Sequence, residues 1–256
     1  VAVAFGAAGA AVADPTPGAA APAASLDPPV AVEEVSVQLF NFFAYIGFDQ
    51  SPEAQARQEG VLSTISDMGY RNVEAVDYTA FQGIGATQYR ALLDAYGLEA
   101  SGLHTSVSMA TTDAQWATSV QTALTIGAPY IGAGSTPSDF TTKQQWVDYA
   151  EKIDHLGELS RAQGVQYMVH SHDWEFEQVF DGETGYDILQ ANTSPENVVF
   201  ELDLHWATKA GADPLDVIDD YGDRIELLHV KDLAEDGSIT TVGEGTIDFA
   251  PIFAAA

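Results

Sequence analysis

Three segments decide how this chain is read: VQYMVHSHDWEFE at 165–177, VVFELDLHW at 198–206 and IELLHVKD at 225–232. Each opens as a hydrophobic run of strand length and closes in groups able to hold a metal ion or move a proton. Strand side chains alternate with a period of two. That pairs His170 with His172, Asp203 with His205, and His229 with Lys231, each pair on one face near its strand's carboxyl end. Four of the six histidines lie in this region, which marks it as a candidate enzyme site.

Outward from it, short apolar runs alternate with helical patterns. Towards the N-terminus, strands are expected at VSVQLFNF (35–42), NVEAVDY (72–78), LEASGLHTSV (98–107) and APYIGAG (128–134). Between them, Ser51-Pro52-Glu53 supplies an N-cap, a first-turn proline and a first-turn acid for one helix. Further helices are expected over 86–97, closed by Gly97, through DAQWATSVQTALTIG, and from Thr142 to Ala162 before Gly164. Beyond the fifth strand, a helix near Tyr186–Ala191, one capped by Asp213-Pro214, and one opened by VGEGTIDFAPIF (242–253) complete the pattern. Seven strand–helix alternations predict parallel βα units. Eight would close a (β/α)8 TIM barrel, with its site at the carboxyl ends of the strands. The expectation is therefore an α/β barrel over 35–256 that stops short of the eighth strand.

Composition narrows the function. The chain has no cysteine, which excludes disulfides and thiolate metal sites. It carries 38 Asp and Glu against 9 Lys and Arg, a formal charge of −29. Such a field repels nucleic acid and anionic lipid. The acids are spread along the chain and read as a solubility surface suited to salt. Residues 1–13, VAVAFGAAGAAVA, are small and apolar and end like a cleavage site; they read as the tail of a secretory signal and are too short to span a bilayer. Residues 14–34 are rich in Pro and Ala and read as a linker. A secreted or periplasmic protein with no membrane span is expected, and the composition leaves room for a homo-oligomer.

In such a barrel His170, Asp203 and His229 converge on one mouth from adjacent strands. Two imidazoles and a carboxylate suit a borderline divalent ion: Mn2+, Co2+, Zn2+ or Fe2+. The candidate proton-transfer groups are His172, Glu175 and Lys231. His104, Glu74, His205, Trp206, Lys209 and Glu244 are expected around the substrate. Trp174, Phe176 and Trp206 are either rings that stack on substrate or core, and Glu74 and Glu201 are either site groups or members of internal ion pairs. His155, mid-helix, is expected on the surface.

The ordered motifs VHSHDWEF, ELDLHWATKAGADP, LLHVKD and VGEGTIDF resemble those of the sugar phosphate isomerases and epimerases with a xylose-isomerase-like barrel. The subgroup they resemble includes inosose dehydratases and enzymes acting on 3-keto-glycosides. The resemblance implies one divalent metal held by a Glu on the fifth strand, an Asp on the sixth, a His on the seventh and a Glu on the eighth. Asp203 and His229 match their positions, His170 stands where the family has its Glu, and the last ligand is expected beyond Ala256. The implied chemistry is sugar isomerisation or epimerisation by proton abstraction next to a metal-held carbonyl or hydroxyl. The alternatives are a metal-dependent dehydratase or β-eliminating lyase on a keto-sugar or 3-keto-glycoside, and a non-catalytic sugar-binding barrel.

Overall fold

The computed structural model describes Ala2–Val3 and residues 30–256. The signal and linker readings fall almost wholly on residues outside these. Seven strands form one parallel set: β1 (Val35–Gln38), β2 (Asn72–Val76), β3 (Glu99–Thr105), β4 (Tyr130–Ala133), β5 (Gln166–His170), β6 (Val198–Asp203) and β7 (Ile225–His229). Each pairs with the next in sequence, as in a TIM barrel. Between β7 and β1 the ring is bridged by Ala2–Val3, which lies antiparallel to both. The place expected for an eighth parallel strand is thus taken by two residues of the stretch read as a leader. The two flanking strands present unpaired backbone groups there, and any extended segment can satisfy them.

A helix follows each strand: α1 (Pro52–Asp67), α2 (Gly85–Tyr96), α3 (Asp113–Ile126), α4 (Lys143–Arg161), α5 (Gly185–Ala191), α6 (Pro214–Tyr221) and α7 (Phe249–Ala255). Their starts follow the chemistry of their first residues. Ser51 accepts from the Ala54 N–H, Thr112 and Thr142 form capping boxes with Gln115 and Gln145, and Asp213 accepts from the Leu215 N–H ahead of Pro214. Gly97 and Gly127 close α2 and α3 in the left-handed conformation, which glycine adopts without steric cost.

The main core lies between strands and helices. Trp116 anchors it, fully buried, with its indole N–H shared between the Leu156 carbonyl at 2.8 Å and Ser160 Oγ at 2.9 Å. Burying that ring leaves no donor unsatisfied. A second, small apolar cluster of Met168, Val199 and Leu227 sits apart from it. These three belong to the inward-facing set of β5, β6 and β7, and fill one layer of the lumen. Among the described residues, no helix is long and apolar enough to cross a membrane.

The strands end sooner than their hydrophobic runs suggest. β5 stops at His170, β6 at Asp203 and β7 at His229. His172, His205 and Lys231 therefore lie past the strand ends, and the period of two that paired each with its neighbour does not reach them. After β6 the chain turns straight into a short helix, Leu204–Lys209, capped by Asp203 itself.

Candidate metal centre and active site

Two residues beyond the Met168–Val199–Leu227 layer, towards the carboxyl ends, the lumen changes from apolar to ionisable. His170, Glu201 and His229 stand there on β5, β6 and β7, with His104 from β3 and Glu74 from β2; all five are buried. The donor atoms of His104, His170, Glu201 and His229 lie within 4.8 Å of one another. Glu201 is the hub. Its Oε2 is 3.1 Å from His104 Nε2, 3.1 Å from His170 Nδ1 and 3.2 Å from His229 Nε2. Glu74 braces the group from beside it, with Oε1 at 3.0 Å from His104 Nε2 and Oε2 at 2.6 Å from His229 Nε2. Gln38, at the end of β1, donates to Glu74 Oε2 at 2.7 Å. β4 contributes space: a side chain at Gly134 would collide with the Tyr78 hydroxyl and the His104 ring.

Electrostatics tie these groups together. Burial opposes the charge on every one of them. Even so, His104 and His229 hold Glu74 well below the usual carboxylate range, and Glu201 is lowered too, against the nearby Glu74 charge, by His229, His104 and His170. In return, Glu74 and Glu201 lift His104 to about 9 and His229 well above its ordinary value. His170, pushed down by burial and by the His229 charge, stays neutral. Two glutamates are thus balanced by two imidazolium ions. A divalent cation with neutral imidazoles gives the same balance, so the group fits a metal in charge as well as in donor type. Three imidazoles and one carboxylate suit a borderline ion. Glu201 Oε1 is buried without a hydrogen-bond partner, which is the condition of an atom that coordination would satisfy.

Asp203, expected as a ligand, lies at the edge of this group and has other partners. Its Oδ1 accepts the Trp206 N–H at 3.1 Å and its Oδ2 is 2.5 Å from Lys231 Nζ, against 3.8 and 3.6 Å to His170 and His229. The Asp203–Lys231 pair carries no net charge. The tightest donor set therefore has Glu201 and His104 beside His170 and His229. Glu201 has the inward parity of Asp203, two residues earlier in a strand buried along its whole length. A glutamate in such a strand needs partners, and that was the available signal for it. Glu74, expected near substrate, is instead enclosed by Gln38, His104 and His229. Gln38 carried no sequence signal, because the expected strand ran on to residue 42 and only the structure ends it at Gln38.

The mouth is built by residues past the strands. His172 stacks on Trp174 with ring centroids 4.4 Å apart and planes at 9°, and Trp206 follows at 5.6 Å. Burial takes the His172 pKa down to about 4, with Lys231 adding to the effect, and its Nδ1 has no partner. Lys209 pairs with Asp173 at 3.0 Å and lies over Trp206 at 4.3 Å. Three further expected site residues have other surroundings. Glu175 is fully buried, accepting from the Thr136 hydroxyl and from the His172 N–H at 2.9 Å. His205 places Nδ1 3.1 Å from the Asp232 carbonyl. Glu244 is exposed; the work of its loop is done by backbone, because Gly243 and Gly245 both donate N–H groups to Asp232 Oδ2 at 2.9 Å. His155 is on the surface as expected, 3.0 Å from Asp113.

Fold and site together define a barrel protein with a buried histidine–glutamate centre at the carboxyl ends of its strands. The chain belongs to the family of xylose isomerase-like TIM barrels, whose family model matches residues 62–256. It is similar to a sugar phosphate isomerase/epimerase from Parabacteroides distasonis, with 23% identity, a TM-score of 0.74, and 92% of this chain and 86% of that one covered. It is also similar to an IOLI protein with a bound zinc atom, with 14% identity, a TM-score of 0.61, and 86% and 83% covered. An inosose dehydratase of Clostridium tetani is 28% identical over 130 residues, or 44% of this chain. The match spans 43% of that relative, so the chain covers less than half of its length.

Proposed function

We propose that this chain is a divalent-metal-dependent sugar isomerase or epimerase. The observation that carries the reading is the convergence of His104, His170, Glu201 and His229 within 4.8 Å, with Glu201 Oε1 buried and unpartnered. These four would hold the ion, and Glu74 would orient the imidazoles of His104 and His229. When bound, the ion would polarise a carbonyl or hydroxyl of the sugar. His172, stacked on Trp174 at the mouth, takes the C–H proton next to that carbonyl. Returned to the former carbonyl carbon while the adjacent hydroxyl proton passes to the former carbonyl oxygen, the proton isomerises the sugar; a proton delivered to the opposite face of the same carbon by a second donor epimerises it. Lys231, held on Asp203, donates hydrogen bonds to the substrate oxygens. Export is proposed from the sequence of residues 1–13 alone; cleavage of that stretch would leave the β7–β1 gap that Ala2–Val3 bridges open to another segment.

The inosose dehydratase relatives support a second reading, loss of water or of a β-substituent from a keto-sugar on the same site. One experiment separates the two. The purified protein is analysed for bound divalent ions, then incubated with free ketoses in D2O and followed by NMR. The proposal expects about one ion per chain and deuterium at the carbon next to the carbonyl, with both lost in Glu201→Gln. Release of an unsaturated product gives the second reading. A bound ion with neither outcome leaves a sugar-binding barrel.

A further inference from the structure

A histidine that works as a base is ordinarily aimed by a hydrogen bond to its second ring nitrogen. The Nδ1 of His172 is buried and has no such partner. The ring is held by stacking instead, on Trp174 with centroids 4.4 Å apart and planes at 9°. Stacking orients one ring only as firmly as the other is fixed, so the aim of His172 depends on what holds Trp174.

Trp174 is held at its indole N–H, which donates to Thr136 Oγ at 2.8 Å. Thr136 is buried in the loop after β4, and its hydroxyl donates in turn to Glu175 Oε1. The other oxygen of the same carboxyl, Oε2, accepts the His172 backbone N–H at 2.9 Å. The path closes on itself, from the His172 backbone through Glu175, Thr136 and Trp174 to the His172 ring. Donors and acceptors agree along its length: the hydroxyl accepts one proton and gives one, and the carboxyl accepts at both oxygens. Glu175 is the costly member. It is fully buried and both its partners are neutral, so packing alone would be better served by an apolar side chain.

We propose that Glu175 is the positioning residue of the proton-transfer step, acting through Thr136 and Trp174 to hold the His172 imidazole in the plane from which it reaches the substrate C–H. This rests on the reading of His172 as the base and deepens it. Glu175 itself neither takes a proton from the substrate nor gives one to it; it fixes the group that does, at the backbone directly and at the ring through two neighbours.

The first readout needs no turnover. Full-length, zinc-loaded protein carrying 13C at the histidine Cε1 positions is observed by NMR, and His172→Gln identifies the His172 signal, which the stacked indole displaces upfield. Thr136→Val keeps the size of the side chain and removes both of its hydrogen bonds. It is expected to move the His172 signal towards its unstacked position while the melting curve and the bound ion stay in place. The second readout is deuterium exchange by the protein as purified, with D-fructose, D-psicose, D-sorbose and D-tagatose as probes. In Thr136→Val the kcat for exchange should fall about ten- to a hundredfold, the cost of a misaimed general base, with KM unchanged. Trp174→Phe, which keeps a ring but has no N–H, should lower kcat too, and Thr136→Val should cost nothing further in that background. Glu175→Gln should retain most of what Glu175→Ala loses, because its amide can accept the His172 N–H and donate to Thr136. Where Thr136→Val fails to fold, Trp174→Phe takes its place in the exchange measurement. A His172 signal and a kcat that do not move, losses in Thr136→Val and Trp174→Phe that simply add, or an effect confined to the melting curve each overturn the inference and leave the isomerase reading standing. A parent protein that exchanges none of the ketohexoses removes the isomerase reading, and the inference with it.

Discussion

Glu175 is a carboxylic acid with no access to water, and its burial has a measurable consequence. Burial lifts its pKa from the ordinary 4.5 to about 7, against the lowering effect of the Thr136 and His172 hydrogen bonds. The folded protein therefore holds this proton more tightly than the unfolded chain. The stability it contributes is complete below pH 4.5 and is lost as the pH rises through 7. The difference corresponds to about 3 kcal/mol. Glu175→Gln keeps the shape, removes the charge and should flatten this dependence. In denaturant unfolding its advantage over the parent protein should grow by up to about 3 kcal/mol between pH 4.5 and pH 8. Parallel pH curves for the two proteins would show that Glu175 is not the group responsible. The position was legible as acidic but not as buried. The sequence places Glu175 three residues past His172, and only the fold shows that it faces Thr136 and fixes the His172 backbone. The same limit separates Glu201 from Asp203. Both have inward parity, but Asp203 is where the chain leaves the strand, and there the helix cap at Trp206 and Lys231 claim its oxygens.

Strands and helices were legible in order and place, because hydrophobic period and capping residues act locally. Their ends were less so. The run VVFELDLHW continues apolar to Trp206, yet β6 stops at Asp203 because that side chain can cap the helix Leu204–Lys209. The motif VGEGTIDF shows the same limit from another side: Glu244 is the residue its sequence offers as a site group, while its glycines do the binding. Asp232 receives N–H groups from Gly243, Gly245 and Ile247 at 2.9, 2.9 and 3.2 Å, and from Leu233 at 2.8 Å. A side chain at Gly245 would collide with this carboxylate. The loop is thus wrapped around one acid next to Lys231. Asp232→Ala leaves these amides without their acceptor, at a cost of roughly 1–3 kcal/mol for each that stays buried. The expected result is rapid proteolytic cleavage within 241–248 while the rest of the barrel stays resistant. Glu244→Ala should have no such effect. Equal cleavage of the parent protein and Asp232→Ala would remove the cradle from the account.

At the scale of the whole molecule the ring and the surface raise different questions. Seven parallel units follow from the alternation of strand and helix, and the charge follows from composition. The partner that β7 and β1 share in Ala2–Val3 was not legible, because two small residues carry no pattern and pairing there depends on the open backbone of both neighbours. The charge of −29 on 256 residues, with 9 cations, sets the largest unshared interaction in the molecule. Most of the acids cannot find a basic partner, so the folded state holds like charges closer together than the unfolded chain does. Screening shortens the reach of that repulsion from about 30 Å at 0.01 M salt to about 3 Å at 1 M. It also weakens the few surface pairs, such as Lys143–Glu183, but exposed pairs contribute only about 0–1 kcal/mol each. Repulsion therefore dominates the response to salt, and the melting temperature should rise steadily from 0.01 to 1 M NaCl. For a chain of this length each kcal/mol gained raises it by roughly 2–4 °C, so a rise of at least that size is expected in a thermal scan. KCl should match NaCl if the effect is screening, whereas a response to one cation alone would indicate specific ion binding. A melting temperature that falls with salt would mean that the pairs outweigh the repulsion, and that the acids are arranged around the cations more closely than their numbers suggest.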